Sequence, residues 1–287
     1  LLLDSFYSQD AVPENLTDAL VNIRCSYLSD DIIKSTTGSG FFLSKDGVIL
    51  TSAHVAQYFL LETYENSTTD CTIHTGDPAT PKYKGTILYI SPAWIQENAV
   101  DIQDNTPTGT GERDYALILV TKSSNATPLP ETYPALPFTT ELLSTRLIGS
   151  EATALGYPAE SFLASNTNVE LSPLEVTTPI VQLYTFDSMT ADVIALEGSP
   201  LGTYGSSGGP VLLPNQEVAG VITTRGNDVE EGRGSLRAIT LSHIDQTLRE
   251  ETGSGLQTHL SGDVTERSEL FQSTLAPFLQ NILSNQL

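Results

Sequence analysis

An all-β barrel or sandwich is the fold class that the sequence predicts, and three observations carry it. Short apolar runs of strand length recur along the chain, with turn residues between them. One stretch, 38–51, is a hairpin, with Lys45-Asp46-Gly47 between two apolar runs. No long helix is predicted before residue 240. The 287 residues are 39% hydrophobic, enough for a large buried core in one large domain or two small ones.

The elements follow in order. Leu20 to Leu28 alternates apolar and polar residues and reads as a strand. The hairpin comes next, as GSGFFLS and VILT around the Asp-Gly turn. From about Ala56 to Asn105 the chain is polar and irregular. It predicts long loops on a β core, with short strands near Cys71–His74 and Gly85–Ile90. Strand-length runs then recur at Tyr115–Thr121, Ala152–Tyr157, Val181–Phe186, Val193–Leu196, Pro210–Leu213 and Val218–Thr224. Pro214-Asn215-Gln216 separates the last two as a hairpin turn would. Ser242 to Arg249 carries a capping residue and helical spacing, and Gly253 and Gly255 end it. Glu266 to Leu287 bears an apolar face at helical spacing, and Pro277 kinks or divides it. That face predicts a helix packed on the β core, with an oligomerisation helix as the alternative.

A net charge of −22 disfavours nucleic acid as a partner, because an acidic surface repels phosphate. No run of about 18 apolar residues is present. The opening Leu1-Leu2-Leu3 reads as the stub of a removed signal peptide or of a membrane anchor upstream of residue 1, or as a plain chain start. Cys25 and Cys71 are a disulfide or two unrelated buried thiols. Asn15, Asn66 and Asn125 each begin a glycan-acceptor triplet, a pattern that also arises by chance. His74, His243 and His259 have no partner at metal-ligand spacing, so neither metal nor other cofactor is expected.

Three segments carry chemistry. His54 stands in Thr51-Ser52-Ala53-His54-Val55, directly after the hairpin. Asp114 stands at the mouth of the apolar run that begins at Tyr115. Ser207 stands in the glycine-rich turn Gly205-Ser206-Ser207-Gly208-Gly209-Pro210. A serine hydroxyl is a poor nucleophile unless a base takes its proton, and histidine suits that role near neutral pH. A carboxylate on the other imidazole nitrogen fixes the tautomer and stabilises the imidazolium. The glycines let the backbone aim the amides of Gly205 and Ser207 at one point, as an oxyanion hole requires. Asp101 and Asp104 are alternative acids, but no apolar strand holds them.

SAHV, DYALI and GSSGGPV, in that order, resemble the histidine, aspartate and serine blocks of trypsin-like peptidases, especially their HtrA/Deg-like branch. The run 191–211 into the serine and AGVITT (219–224) after it extend the resemblance over about 20–248. It implies two six-stranded antiparallel β-barrels of chymotrypsin-like kind followed by C-terminal helices. It also implies a catalytic His54, Asp114 and Ser207 and a polypeptide substrate outside the cytoplasm. The peptidase domain would span 20–255, between an N-terminal extension (1–19) and a C-terminal helical one (256–287). Ser206 stands where members activated by proteolysis have aspartate, so activation by a new N-terminal amine is not expected. No PDZ domain is expected within 208–287. The resemblance puts Leu201 at the floor of the primary pocket, and Thr223, Thr224 and Arg225 at its wall and substrate-pairing edge. An apolar floor implies small or medium apolar residues before the cut.

Two other functions stay open beside endopeptidase: a silent binding or sensing module on the same fold, and an interaction protein built on the C-terminal helix. GSSGG also fits the nucleophile elbow of α/β-hydrolase esterases, with His243 as the base.

Overall fold

The computed structural model describes residues 13–29, 32–65, 67–102, 111–159, 170–186, 189–225 and 236–286. Strands β1 (Leu20–Ser29), β2 (Ile32–Phe42), β3 (Val48–Thr51), β4 (Asp70–Thr75), β5 (Thr80–Ile90) and β6 (Ala116–Ser123) close a first barrel in the order β1-β2-β3-β6-β5-β4. Strands β7 (Glu151–Gly156), β8 (Leu174–Tyr184), β9 (Val193–Leu196), β10 (Pro210–Leu212), β11 (Val218–Arg225) and β12 (Leu236–Thr240) close a second, in the order β10-β11-β12-β9-β8-β7. Neighbouring strands pair antiparallel. This is the expected pair of six-stranded antiparallel barrels. An α/β-hydrolase is excluded, because a strand rather than a helix follows Ser207.

Side-chain alternation sorts residues between cores. Val21, Ile23, Cys25, Phe42, Ile49, Ile73 and Ile118 fill the first barrel. Ala152, Ile180, Ile194, Leu196, Val211 and Ile222 fill the second. A third cluster joins the barrels: Phe41, Leu50 and Tyr115 pack with Leu155, Tyr157, Val221 and Ile239. Phe41 and Phe42 are neighbours in sequence and serve different cores. Cys25 and Cys71 lie opposite each other on β1 and β4 and are disulfide-bonded.

The 56–105 stretch departs from its reading as decorated loops. It holds two full barrel strands, β4 and β5, and the helix α3 described below. Register shifts at Ile73/His74, Lys84/Gly85 and Ile87/Tyr89 break the alternation that marks a strand in sequence. Strand β8 begins at Leu174, well before the predicted Val181. Pro179 within it argues against a strand in sequence, yet its carbonyl accepts from the Glu197 amide (3.1 Å).

Helices α1 (Ala53–Ala56), α2 (Tyr58–Leu61) and α3 (Pro92–Asn98) lie within the first half. Helices α4 (Leu241–Thr252), α5 (Leu256–His259), α6 (Val264–Thr274) and α7 (Ala276–Ser284) follow the second barrel. The cap of α4 is Thr240, not Ser242: its hydroxyl accepts from the His243 amide (3.2 Å). Gly253, at φ 78°, ends α4. Helices α6 and α7 meet at Leu275, with Pro277 in the first turn of α7. Phe271, Ala276, Leu279 and Leu283 enter the core of the first barrel. Ser268 Oγ and Gln272 Nε2 both donate to Ile87 O (3.1 and 2.9 Å), the carbonyl at the β5 bulge. The apolar face of the C-terminal segment thus packs on the barrel. Leu279→Ala, at a fully buried site, should cost about 2–4 kcal/mol of stability, read as a lower urea midpoint at unchanged m-value.

Candidate active site

Strand β3 ends at Thr51, and α1 begins two residues later with His54 in its single turn. Ala53, Val55 and Ala56 are buried in the first barrel on either side of it, which leaves His54 aimed out of the core. Asp114 enters at the mouth of β6 and is 4% exposed. Its carboxylate grips His54 twice. Oδ1 accepts from the His54 amide (2.9 Å), and Oδ2 lies 2.8 Å from Nδ1. A carboxylate oxygen accepts, so Nδ1 carries the hydrogen and Nε2 is left as the acceptor. Burial pushes the imidazole pKa down, but the charge and hydrogen bond of Asp114 outweigh it, and the net shift is upward.

The loop before Asp114 is tied down on the other side. Arg113 has φ 58°. Its guanidinium meets Glu112 (2.7 Å) and Glu251 (3.1 Å), the latter on α4. The Asp114 amide donates to Gly111 O (3.1 Å) and the Tyr115 amide to Arg113 O (2.8 Å).

The serine turn approaches from the second barrel. Its carbonyls are held one after another: Tyr204 O by the Ala159 amide (2.7 Å), Ser206 O by the Gly209 amide (3.0 Å) and Ser207 O by the Ser39 amide (2.7 Å). Gly205 O accepts from the Ser39 hydroxyl (2.6 Å). A trans peptide points its N–H opposite its C=O. The amides of Gly205 and Ser207 therefore point away from the groups that hold Tyr204 O and Ser206 O. Among the described residues, neither amide donates to a backbone carbonyl. Gly205 and Gly208 both have φ 88°. A Cβ at Gly208 would run into Ser39 O and Thr51 Oγ1, so only glycine lets the turn come this close. Ile222 O accepts from the Gly208 amide (2.6 Å) and from the Ser52 hydroxyl (3.0 Å), which ties the Ser207 turn to the His54 segment.

The family model for the trypsin-like peptidase domain matches residues 38–221, which include His54, Asp114 and Ser207. The chain belongs to this family. Two crystal structures of Rv3671c, the first described as from M. tuberculosis H37Rv, are similar to this chain. One is a serine-to-alanine mutant in an inactive form, at 20% identity and TM-score 0.47, with 82% of this chain and 87% of that one covered. The other, described as the Rv3671c protease in an inactive form, has 21% identity and TM-score 0.47, with 82% and 90% covered. No curated protein matches the sequence significantly.

Within the peptidase domain, His54 meets Asp114 rather than Asp101, which lies in a turn at Ala99–Asp101. Asp104 falls outside the described residues. Leu201 is fully buried in the core of the second barrel, and its side chain and Ser206 would both be met by a Cβ added at Gly156. Thr223 is buried in β11 (5% exposed). Thr224 and Arg225 belong to β11, but their side chains fall outside the described residues. Ser206 is 1% exposed. His74 lies in β4, with its pKa pushed down to about 4 by burial and then by Arg24. His243 lies 3.4 Å from Asp192 and serves no nucleophile. His259 contacts Gly255 O (3.0 Å) and the Tyr89 ring.

The sequence reading missed Ser39 and Ser52. Both look like ordinary strand-end serines, and only the docking of the two barrels gives them partners across more than a hundred residues. Gly208→Ala should lower the thermal midpoint sharply, by the equivalent of at least about 2–3 kcal/mol. Thermal unfolding of the purified variant measures this.

Proposed function

We propose that the chain is a serine endopeptidase in which Ser207 is the nucleophile, His54 the general base and acid, and Asp114 the group that orients and charges His54. The observation that carries this reading is the double grip of Asp114 on His54, in a chain of the trypsin-like peptidase family. Ser207 Oγ attacks the scissile carbonyl carbon as Nε2 of His54 takes its proton. The oxyanion that forms is received by the amides of Gly205 and Ser207. Collapse expels the amine, which takes the proton from His54, and leaves an acyl-enzyme. Water then attacks the ester with the same proton path reversed.

The finer parts of the reading have their own support. The HtrA/Deg-like affiliation rests on the sequences around His54 and Ser207. Leu201, an apolar side chain in the core of the second barrel, supports small or medium apolar residues before the cut. The disulfide supports an oxidising compartment outside the cytoplasm. The silent-module reading loses ground because four consecutive carbonyls of the serine turn are held so that the two amides stay aimed outward.

Labelling with a fluorophosphonate tests the core of this. Wild type should label and cleave a denatured protein substrate, and Ser207→Ala and His54→Ala should do neither. Labelling that survives Ser207→Ala would sink the assignment. Asp114→Asn should lower kcat by about 10⁴ at neutral pH. The pH profile follows from the sign of the His54 shift. Catalysis needs the neutral imidazole, and Asp114 favours the charged one. The acid limb of kcat/KM should therefore have its midpoint above the ordinary imidazole value of about 6.5. In the residual activity of Asp114→Asn it should move down.

A further inference from the structure

Ser39 is fully buried on β2 of the first barrel, where it pairs with Asn22 of β1. A serine hydroxyl has one hydrogen to donate and lone pairs to accept. Here both capacities are used, and both partners belong to the second barrel. The hydroxyl donates to Gly205 O (2.6 Å) and accepts from the Tyr157 amide (2.8 Å). The Ser39 amide donates to Ser207 O (2.7 Å), and its carbonyl accepts from Thr51 Oγ1 (2.6 Å). All three polar groups of one residue are thus engaged, and two of them, the hydroxyl and the amide, bond across the seam between the histidine-bearing barrel and the serine turn.

The two partners of the hydroxyl lie on the two segments that meet at the serine turn. Tyr157 leads into Ala159, whose amide holds Tyr204 O and so sets the direction of the Gly205 N–H. Gly205 O belongs to the peptide between the two amides that would bind the oxyanion. Gly205 itself has no side chain and sits at φ 88°, so nothing intrinsic to it fixes that peptide. We infer that Ser39 is a positioning residue for catalysis, its hydroxyl clamping the Gly205 carbonyl and the Tyr157 amide so that the amides of Gly205 and Ser207 stay aimed at one point. This rests on the serine-peptidase reading above and adds to it the residue that orders the oxyanion hole. Ser39 does not touch substrate. It acts through peptide planes, so its effect should fall on the step in which charge develops on the substrate oxygen.

The test compares wild type, Ser39→Ala, Ser39→Thr and Ser39→Cys in the full chain. Each is measured for kcat and KM on a peptide substrate, for inhibition by a peptide aldehyde whose adduct carries the oxyanion, and for thermal midpoint. Ser39→Ala should lose about 10- to 100-fold in kcat, with KM within about twofold. Its affinity for the aldehyde should fall by the same factor as kcat/KM. Ser39→Thr keeps the hydroxyl and should recover most of the loss. Should Ser39→Ala or Ser39→Thr not fold, Ser39→Cys, of similar size but a weaker donor, carries the expectation set for Ser39→Ala. The inference is overturned if the folded variants keep wild-type kcat, if the loss lies wholly in KM, or if aldehyde affinity does not change. A wild type that neither labels with fluorophosphonate nor cleaves peptide overturns the peptidase reading and this inference together. An active wild type with an unaffected Ser39→Ala overturns this inference alone.

Discussion

The serine turn can dock only where two backbones come closer than any side chain would allow. At Gly208 the second barrel meets Ser39 O and Thr51 Oγ1 of the first with no room for a Cβ. That approach lets Ser39 reach Gly205 and Ser207, and lets Ile222 O take hydrogen bonds from both Gly208 and Ser52. Neither barrel holds a complete site. The first supplies a histidine fixed to a carboxylate, the second a turn with two outward amides. Their relative placement depends on these short contacts and on the apolar cluster that backs them, Phe41 and Leu50 against Leu155 and Val221. Packing is dense enough that a shift at one side of such a seam is felt at the other.

A second tie runs from the Asp114 loop to the C-terminal helices. Arg113 pairs with Glu251 of α4, while Tyr89 and Ser91 reach the same carboxylate from β5 and the start of α3. Tyr115 OH and Thr247 Oγ1 of α4 lie 2.7 Å apart. The residues on both sides of Asp114 are thus held by one helix. Further along, Gln280 on α7 donates to Leu60 O (2.8 Å), on the helix that follows the His54 turn. The C-terminal segment therefore braces the elements that carry Asp114 and His54, beyond covering apolar surface on the first barrel.

Much of this was legible in the sequence, and the parts that were not share a cause. Ser207, His54 and Asp114 stand in local contexts with chemical meaning, so the pairing of His54 with Asp114 could be anticipated from residue types and order. The hairpin of β2 and β3 was legible because Asp46-Gly47 marks the turn and Phe42 pairs across it with Ile49. Strand β5 was legible only in its second half, near Gly85–Ile90, because its bulges spoil the alternation, and the carbonyl at the Ile87 bulge is satisfied by Ser268 and Gln272, some 180 residues away. Strand β8 was cut short by Pro179, which costs an amide but leaves a carbonyl that pairs. The contacts of Ser39 and Ser52 depend on which strand ends face each other after both barrels close, and no local pattern encodes that.

Among the described residues two histidines lie close to an aspartate, His54 to Asp114 and His243 to Asp192, and the two differ in ways that bear on the proposed role of His54. At His54 the carboxylate approaches Nδ1 to 2.8 Å and takes the backbone amide as well, and its charge overcomes the cost of burial. At His243 the approach is 3.4 Å, and Asp192 also accepts from the Phe186 amide and the Thr190 hydroxyl. Burial wins there, so the pKa falls despite Asp192 and Glu112, with Arg113 adding to the decrease. The Nε2 atom of His243 is buried and has no hydrogen-bond partner among the described residues. His243 is thus held neutral, with its second nitrogen closed off from any substrate. His54 combines the opposite features. Its imidazolium is stabilised by a short carboxylate contact, and its side chain is 19% exposed. Identical residue types thus give one imidazole whose pKa is raised and one whose pKa is lowered, with less than an ångström between the two carboxylate approaches.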